Sequence, residues 1–386
     1  MPFDRRELLV LGALSGLGLT SRLNAVPAAR PKAGAPEPAE GLYRRAVVFD
    51  GCGGPGDGES DAEKGVRLTP RAVADARASG VTCVNVTVGP VGSRPGAEAF
   101  EGIVRDLGYW EREIETRPDV FMKVKTTRDL AAAKTGGRLG LAFGLQDGVA
   151  FSEDLSRLET LHALGVRIVQ PTYNLRNLLG DGCLEPGDAG LSKRGRDAVE
   201  RMDALRILID LSHCGRATTR DALAAAARPA AFTHTGCAAV ADHPRNKTDE
   251  QLRALAEKGG VAGIYFMPYL RTSGQPKADD VIRHLEHALD VAGEDHVGIG
   301  TDGTISAVEL TPKYLEEFRK QLAARKTAGI GAPGEVEEVY TFVPDLNGPR
   351  RLEELTALLE RRGHSGARIE KILGGNFARL LREVWG

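Results

Sequence analysis

From residue 45 onward the sequence repeats one pattern, in which a short run of apolar and β-branched residues is followed by a longer stretch with helical spacing. Most of the short runs are almost continuously apolar, which is typical of parallel strands buried on both faces. Eight such strand–helix units in succession predict an α/β fold, a (β/α)8 barrel of the TIM type. The predicted strands are residues 46–51, 80–88, 139–147, 166–174, 205–213, 230–235, 260–267 and 296–303.

The segments between these strands carry helix signals. Residues 70–80, 154–165 and 248–260 end in glycine, a helix stop signal, and residues 279–293 have apolar residues at helical spacing. The last residues of the chain predict a helical element that a pair of glycines interrupts. Residues 306–345 are the least regular stretch, so we expect an insertion or a lid there, within a barrel that spans 44–386.

The N-terminus has the pattern of an export signal. Arg5 and Arg6 precede an apolar run from Leu8 to Leu19, and the small-residue sequence "VPA" at 26–28 fits a cleavage site. The run is too short to span a bilayer, so we expect no transmembrane segment in the mature chain. The paired arginines predict the twin-arginine route and a periplasmic location. Residues 1–28 are thus predicted to be the signal, and the Ala- and Pro-rich residues 29–43 a disordered linker.

Charge and cysteine usage exclude some classes of protein. The chain has 51 basic and 53 acidic residues and a net charge of −2, so we expect no nucleic-acid partner. Its five cysteines contain no CxxC pair and do not form a disulfide framework. The sequence does not determine the oligomeric state, for which a homodimer is a candidate.

Polar residues collect at the predicted C-terminal ends of the strands, which is where barrels of this kind carry function. His213 and His234 end neighbouring strands, so their imidazoles can reach one Zn²⁺ ion. Asp302 ends the eighth strand and is a candidate general base, or a carboxylate that holds the attacking water. The other strand-end residues of this kind are Asp50, Cys52, Gln146, Asp147, Tyr173, Asn174 and Asp210.

Arg245 lies in the sequence "HPRN", eleven residues after His234, in the loop that leaves the sixth strand. A guanidinium group there can hold a substrate carboxylate through two parallel hydrogen bonds. The alternative is an ordinary solvated arginine in a turn. From the residues alone, both interpretations stay open.

Several segments resemble the renal, or membrane, dipeptidase family of zinc peptidases. They are "LRILIDLSHCGRATTRDAL", "FTHTG…DHPRNKTDEQLRALAEKGGVAGIYF", "HVGIGTDG", "ILGGNFARLLREVW" and the segment that begins "PTYNLRNLLGDGC". The resemblance implies a metal-dependent hydrolase barrel that cleaves dipeptides with two zinc ions. It also implies that His213 and His234 hold the second zinc, that Arg245 binds the substrate carboxylate, and that Asp302 lies near the bridging water. Tyr173 and Asn174 are then candidate substrate-binding residues.

The sequence departs from the family pattern at the first zinc. Where the family has Asp-Gly-His-x-Asp, this chain has Cys52 and Gly54 in place of the histidine and the second aspartate. Gln146 replaces the bridging glutamate, and Val149 replaces a histidine. A neutral amide offsets no cationic charge, so we expect one Zn²⁺ ion instead of two. His213 and His234 would hold it, with Gln146 and Cys52 as further candidate ligands.

Three functions follow from this pattern. The first is an exported metallodipeptidase that cleaves dipeptides or related small amides, with a metal-activated water. The second is a related enzyme that acts on a modified peptide. The third is a metal-free binding protein that has kept the pocket and lost the chemistry.

Overall fold

The computed structural model describes residues 39–92 and 94–386. The strands are β1 (Phe49–Asp50), β2 (Gly53–Gly54), β3 (Cys83–Thr87), β4 (Phe121–Lys123), β5 (Leu139–Leu145), β6 (Val166–Val169), β7 (Leu208–Ile209), β8 (Ala231–Thr235), β9 (Val261–Ile264), β10 (Val297–Ile299) and β11 (Gly303–Thr304). The α-helices are α1 (Ala39–Arg45), α2 (Pro70–Ala78), α3 (Gly96–Thr116), α4 (Thr127–Gly136), α5 (Val149–Ser152), α6 (Arg157–Leu164), α7 (Lys193–Ala204), α8 (Arg216–Ala225), α9 (Asp249–Glu257), α10 (Ala278–Ala292), α11 (Pro312–Thr327), α12 (Arg351–Arg361), α13 (Gly366–Glu370) and α14 (Asn376–Trp385). Short 3₁₀ turns lie at Pro268–Leu270 and Pro344–Leu346, and a π-helical turn at Lys371–Gly375 joins α13 to α14.

Eight parallel strands form the barrel, in the order β1, β3, β5, β6, β7, β8, β9 and β10, with β10 paired back to β1. Between β7 and β8 the ring closes through a parallel bridge from Asp210 to Ala231 and a hydrogen bond of 2.8 Å from Leu211 N to the Ala231 carbonyl. Order along the chain is therefore order around the barrel, as in a (β/α)8 barrel. The eight predicted strands and the barrel fold are confirmed.

Two further strand pairings were not predicted. Strand β4 pairs with the first half of β5, and β6 pairs with the same strand from Phe143 onward, so β4 is an accessory strand and not a ninth member of the ring. Strands β2 and β11 pair in parallel just beyond β1 and β10. This small pairing holds Asp302 N at 2.7 Å from the Cys52 carbonyl, so the ends of the first and last barrel strands stay together at the rim.

Helix α14 packs its apolar face against the starts of the strands. The Phe377 ring packs against the Phe49 ring at a tilt of 34°, with centroids 5.0 Å apart, and the Asn376 amide donates to the Val297 carbonyl at 2.8 Å. The interruption predicted at the glycine pair is the π-helical turn. A Cβ on Gly374 would lie 2.5 Å from the Val47 carbonyl oxygen, so glycine is what lets the tail approach β1 this closely.

One predicted boundary differs from the structure. The predicted linker 29–43 overlaps α1, whose Leu42 and Tyr43 are buried and whose Tyr43 hydroxyl donates to the Ser79 carbonyl at 2.8 Å. The ordered fold therefore includes residues that Ala and Pro composition had assigned to a linker, while 1–28 and 29–38 lie outside the described residues.

Residues 306–345, predicted to be irregular, contain the 16-residue helix α11, which the Thr311 side chain caps at Tyr314 N. Phe318 is the one buried residue of α11. The helix therefore lacks the apolar stripe by which an amphipathic helix is recognised in a sequence. None of the helices within the described residues is long and apolar enough to cross a membrane.

Candidate active site

Two adjoining cavities of about 470 and 640 Å³ open above the C-terminal ends of the barrel strands. Thr87, Gln146 and Asp302 line both of them. The smaller one also reaches Cys52, and the larger one reaches His213 and Arg245. Several of the residues predicted from strand ends therefore line these two cavities, whereas His234 lines neither of them.

His213 and His234 face each other with their Nε2 atoms 3.0 Å apart. His213 donates from Nδ1 to the Asn174 side-chain oxygen at 2.6 Å, which leaves a lone pair on its Nε2. His234 Nδ1 lies 2.9 Å from the Thr233 hydroxyl, which in turn donates to Asp210 at 2.5 Å, so its Nε2 is free in the same way. Burial lowers the pKa of both imidazoles well below the usual value, which keeps them neutral.

The spacing of the two Nε2 atoms suits a shared cation. Two imidazole ligands of a tetrahedral Zn²⁺ ion lie about 3.3 Å apart when each Zn–N bond is about 2.05 Å. Hydrogen bonds to the opposite ring nitrogens fix the tautomer of metal-binding histidines in the way seen here. His213 and His234 are thus oriented as a pair of ligands.

Two buried aspartates hold neighbouring strand ends in place. Asp210 accepts hydrogen bonds from the backbone and side chain of both Ser212 and Thr233, at 2.5–3.0 Å. On the first strand, Asp50 accepts from Thr301 N at 2.7 Å and from the Thr301 hydroxyl at 2.6 Å. Burial raises the pKa of Asp50 to about 6, and these hydrogen bonds oppose the rise. Both aspartates position the rim from behind the cavity.

Cys52, His234 and Asp302 form a cluster in which one ligand atom from each lies within 4.8 Å of the others. Among residues 39–92 and 94–386, no other group of three His, Cys, Asp or Glu side chains comes together in this way. The Cys52 sulfur is 3.5 Å from Asp302 Oδ1. Asp302 has a φ of +57°, a left-handed conformation that aspartate tolerates better than most residues.

The acid–base properties of this cluster follow from its burial. Desolvation raises the pKa of Asp302 to about 6, and the charge of Arg245 opposes the rise. Desolvation also raises the pKa of the Cys52 thiol well above its usual value, and the neighbouring Asp302 raises it further. A cation between these groups would reverse both effects, because it favours the ionised forms.

Arg245 is 2% exposed, so the interpretation of it as a solvated turn residue is wrong. Its Nη1 donates to the Ser212 carbonyl at 2.6 Å, and its Nη2 lies 3.1 Å from His213 Nε2. The backbone N–H of Arg245 donates to His243 Nδ1 at 3.1 Å, which folds the "HPRN" loop inward. The guanidinium group therefore lines the larger cavity, beside the histidine pair.

Tyr173 and Asn174 both contact His213. The Tyr173 ring stacks on the imidazole with centroids 4.1 Å apart. The Asn174 amide uses its oxygen for His213 and donates from its nitrogen to the Ile330 carbonyl at 2.8 Å. Asn174 is thus placed to orient His213, and both ends of its amide are engaged.

Sequence reasoning missed part of the cavity wall. Thr87 is the last residue of β3 and the last but one of the predicted strand 80–88, so the strand-end rule could have found it. Arg325 of α11 donates to the Tyr173 hydroxyl at 3.2 Å and forms two hydrogen bonds with Glu335, at 2.7 and 2.8 Å. No local pattern marks Arg325 or Glu335, because their approach to the barrel depends on the path of residues 328–343.

The other positions of the family pattern differ in what they contribute to the cluster. Gly54 is in β2 and Val149 begins α5, and neither carries a ligating group. Gln146 reaches the cluster, where its Nε2 is 3.3 Å from the Cys52 sulfur.

The sequence of this chain is similar to those of known dipeptidases. The sequence profile of the family described as membrane dipeptidase (peptidase family M19) matches residues 72–325. The dipeptidase verJ of Clonostachys rogersoniana is 32% identical over 225 residues, which are 58% of each chain. An uncharacterized dipeptidase of Schizosaccharomyces pombe is 31% identical over 66% of this chain and 55% of its own length. This chain thus spans little more than half the length of these two relatives.

Solved structures show the same fold. A crystal structure of an amidohydrolase from Pseudomonas aeruginosa has a TM-score of 0.78 and 28% identity, over 91% of this chain and all of that one. A metallo peptidase from Rhodobacter sphaeroides, liganded with a phosphinate mimic of the dipeptide L-Ala-D-Ala, has a TM-score of 0.72 and 21% identity, over 88% and 99% of the two chains. The profile covers more than half of the 386 residues, and its match, together with the barrel and the rim histidines, shows that this chain belongs to the membrane dipeptidase family, peptidase family M19.

Proposed function

We propose that the protein is a metal-dependent dipeptidase that hydrolyses the amide bond of dipeptides or related small amides. The observation that carries the proposal is the approach of His234 to both His213 and Asp302, with Arg245 next to His213 in the wall of the larger cavity. The phosphinate mimic of L-Ala-D-Ala in the Rhodobacter structure supports a dipeptide as the substrate class.

The residues present fit one zinc ion. Two neutral imidazoles with a lone pair on each Nε2, the His213 lone pair facing an Arg245 N–H at 3.1 Å, and a nearby carboxylate are ligands that Zn²⁺ accepts. A Zn²⁺ ion held there would polarise the scissile carbonyl and lower the pKa of a bound water. Asp302 would take up the proton of the attacking water, because its carboxylate lies beside the proposed ligands at the rim.

Arg245 would bind the free carboxylate of the substrate. Its side chain is buried and has no carboxylate partner among the hydrogen bonds of the described residues. A substrate carboxylate in the larger cavity would supply a paired anion for this buried guanidinium group. The arginine then fixes the distance between the carboxylate terminus and the reacting bond.

We also propose that residues 1–28 export the chain by the twin-arginine route to the periplasm. The support is the Arg5–Arg6 pair followed by an apolar run and a small-residue cleavage site. Replacement of both arginines by lysine should leave the protein unprocessed in the cytoplasm. Processed protein in the periplasm at the wild-type amount would contradict the route. Light scattering on the exported protein would distinguish a monomer from a homodimer.

The test of the enzymatic proposal measures metal and activity together. The full chain, purified without chelators, should contain about one zinc-class ion and should hydrolyse L-Ala-D-Ala. His234→Ala should lose both, whereas His162→Ala, on the outer helix α6, should lose neither. Absence of metal and of hydrolysis in the wild-type protein would favour the metal-free binding protein, and hydrolysis of modified peptides alone would favour the second alternative.

A further inference from the structure

The sulfur of Cys52 lies among three polar groups in the smaller cavity. Asp302 Oδ1 is at 3.5 Å, Gln146 Nε2 at 3.3 Å and the Thr87 hydroxyl at 3.9 Å. A cysteine that serves only as a small apolar residue is surrounded by apolar side chains. Cys52 instead has a carboxylate on one side and hydrogen-bond donors on another.

Gln146 is oriented to donate to this sulfur. Its side-chain nitrogen carries two hydrogens, and it also lies 2.8 Å from the Thr87 hydroxyl. One hydrogen can therefore go to Thr87 and the other to Cys52. A donor at this place stabilises a thiolate, whereas a carboxylate on the same residue would repel one. The replaced side chains at 52 and 146 are thus chemically matched to each other.

The separations fit a single ion with sulfur, nitrogen and oxygen ligands. A tetrahedral Zn²⁺ ion with a Zn–S bond of about 2.3 Å and a Zn–O bond of about 2.1 Å places those two ligand atoms about 3.6 Å apart. The sulfur of Cys52 and Oδ1 of Asp302 are 3.5 Å apart, and the His234 ring nitrogen lies within 4.8 Å of both. Two anionic ligands side by side need a cation to balance their charge.

We propose that Cys52 is a thiolate ligand of the metal ion, together with His234 and Asp302, and that Gln146 is a positioning residue that donates to the thiolate. The proposal rests on the metal centre of the proposed function and specifies its chemistry. The site is then a mixed thiolate, imidazole and carboxylate centre, with His213 next to it. Such a ligand set selects zinc or cobalt over magnesium, calcium or manganese, because thiolate is a soft ligand.

Cobalt(II) added to the metal-depleted full chain tests the ligand directly. A thiolate bound to Co²⁺ gives a charge-transfer absorption band in the near ultraviolet, and we expect this band in the wild-type protein at one equivalent of cobalt. Cys52→Ser should abolish it while cobalt still binds more weakly. The matched control is Cys183→Ser, which removes the half-buried cysteine near Asn174 and should keep the full band.

The outcomes separate the two proposals. Cobalt binding to the wild-type protein with no charge-transfer band overturns Cys52 as a ligand and leaves the metallodipeptidase proposal standing. No cobalt binding at all overturns both. Because the first of these readouts needs only the wild-type chain, the test holds even when Cys52→Ser does not fold.

Two further measurements examine the selectivity and the role of Gln146. A hundredfold excess of Mg²⁺ or Mn²⁺ should leave the band in place, whereas Zn²⁺ should displace it; displacement by Mg²⁺ contradicts a thiolate centre. Gln146→Leu removes the donor and should shift the band to longer wavelength, because a thiolate without that hydrogen bond gives up electron density more easily. An unchanged band position would refute the role given to Gln146.

Discussion

The burial and the contacts of the Arg245 side chain depend on where the fold places it. Its guanidinium group is buried between the Ser212 carbonyl and the His213 ring, so it supports both the rim and the proposed substrate site. A buried charged donor that loses a partner costs more than an exposed one, because the group left behind is no longer hydrated. Substitution of this residue should therefore affect both stability and catalysis.

Arg245→Lys should lower kcat/KM for a free dipeptide about ten- to a hundredfold, because lysine cannot reproduce a two-pronged contact and a charge-assisted hydrogen bond contributes about 1.5–3 kcal/mol. The free energy of unfolding should fall by about 1–3 kcal/mol as well, since the Ser212 carbonyl loses its donor. Steady-state kinetics and urea denaturation measure the two effects. Arg220→Lys, on the exposed face of α8, is the control and should change neither. Equal kcat/KM for wild type and Arg245→Lys would remove Arg245 from the substrate site.

His284 is a second buried residue with a measurable consequence, away from the proposed site. Its Nδ1 accepts from Cys237 N at 2.9 Å and its Nε2 donates to the Leu270 carbonyl at 3.0 Å, so the folded protein holds it neutral. Burial lowers its pKa from 6.5 to about 4. In the unfolded chain it takes up a proton already below pH 6.5, so acid favours unfolding.

We expect this one group to remove on the order of 2 kcal/mol of stability between pH 7 and pH 5. The loss begins as the pH falls through 6.5 and is complete near pH 4. His284→Gln keeps one donor and one acceptor but does not titrate, so its urea-unfolding free energy should decline less over that range. If the two proteins show parallel declines, His284 is not held neutral by the fold.

At the scale of elements, the C-terminal helix closes the start of the barrel, and the strand ends opposite carry the site. The π-helical turn before α14 passes so close to β1 that a Cβ on Gly374 would meet the Val47 carbonyl and, at 2.6 Å, the Phe49 amide nitrogen. Both obstacles are backbone atoms, which cannot move aside as a flexible side chain can. The contact therefore couples the tail to the strand that carries Asp50 and Cys52.

Gly374→Ala should accordingly destabilise the protein by about 1–3 kcal/mol, the usual cost of overpacking a well-packed core. Gly108→Ala is the matched control in α3, where an added Cβ meets nothing within 4 Å. There the substitution should be neutral or stabilising by up to about 1 kcal/mol, because alanine favours a helix interior over glycine. Thermal and urea unfolding distinguish the two; equal effects of both substitutions would mean that the tail does not pack as described.

At the scale of the whole molecule, the site exists only because the barrel ring is closed. Cys52 and Asp302 are 250 residues apart in the chain, and His213 and His234 come from strands joined by a single bridge. The unfolded chain cannot bring these ligands together, so a metal ion that binds them binds the folded state alone. Metal binding and global stability are therefore linked.

Zinc at a free concentration a hundred times its dissociation constant should raise the free energy of unfolding by about 2.7 kcal/mol. The melting temperature of the metal-depleted wild type should rise accordingly in a thermal scan with added zinc. His234→Ala should show no such rise, and His162→Ala should behave as wild type. A rise of the same size in His234→Ala would locate the metal elsewhere.

The sequence by itself determined the barrel and most of the rim. Buried parallel strands and amphipathic helices are marked by patterns of apolar residues within a few positions of one another. The eight strands could therefore be predicted from the sequence in order. The C-terminal ends of those strands then placed His213, His234 and Asp302 at one face. Among the elements that the sequence did not predict are α1, β4, the β2–β11 pair and α11, each of which is short or lacks the usual apolar pattern.

Tertiary structure decided what these residues do to one another. The contacts that define the site join residues 32–250 positions apart in the chain. They are the contact of Arg245 with His213, that of Asn174 with His213, and those of Cys52 with Gln146 and Asp302. Differences of a few tenths of an ångström in the distances between such groups, together with the exclusion of water, determine whether the groups bind a cation or repel each other. Those quantities arise when the ring closes, and local sequence patterns do not encode them.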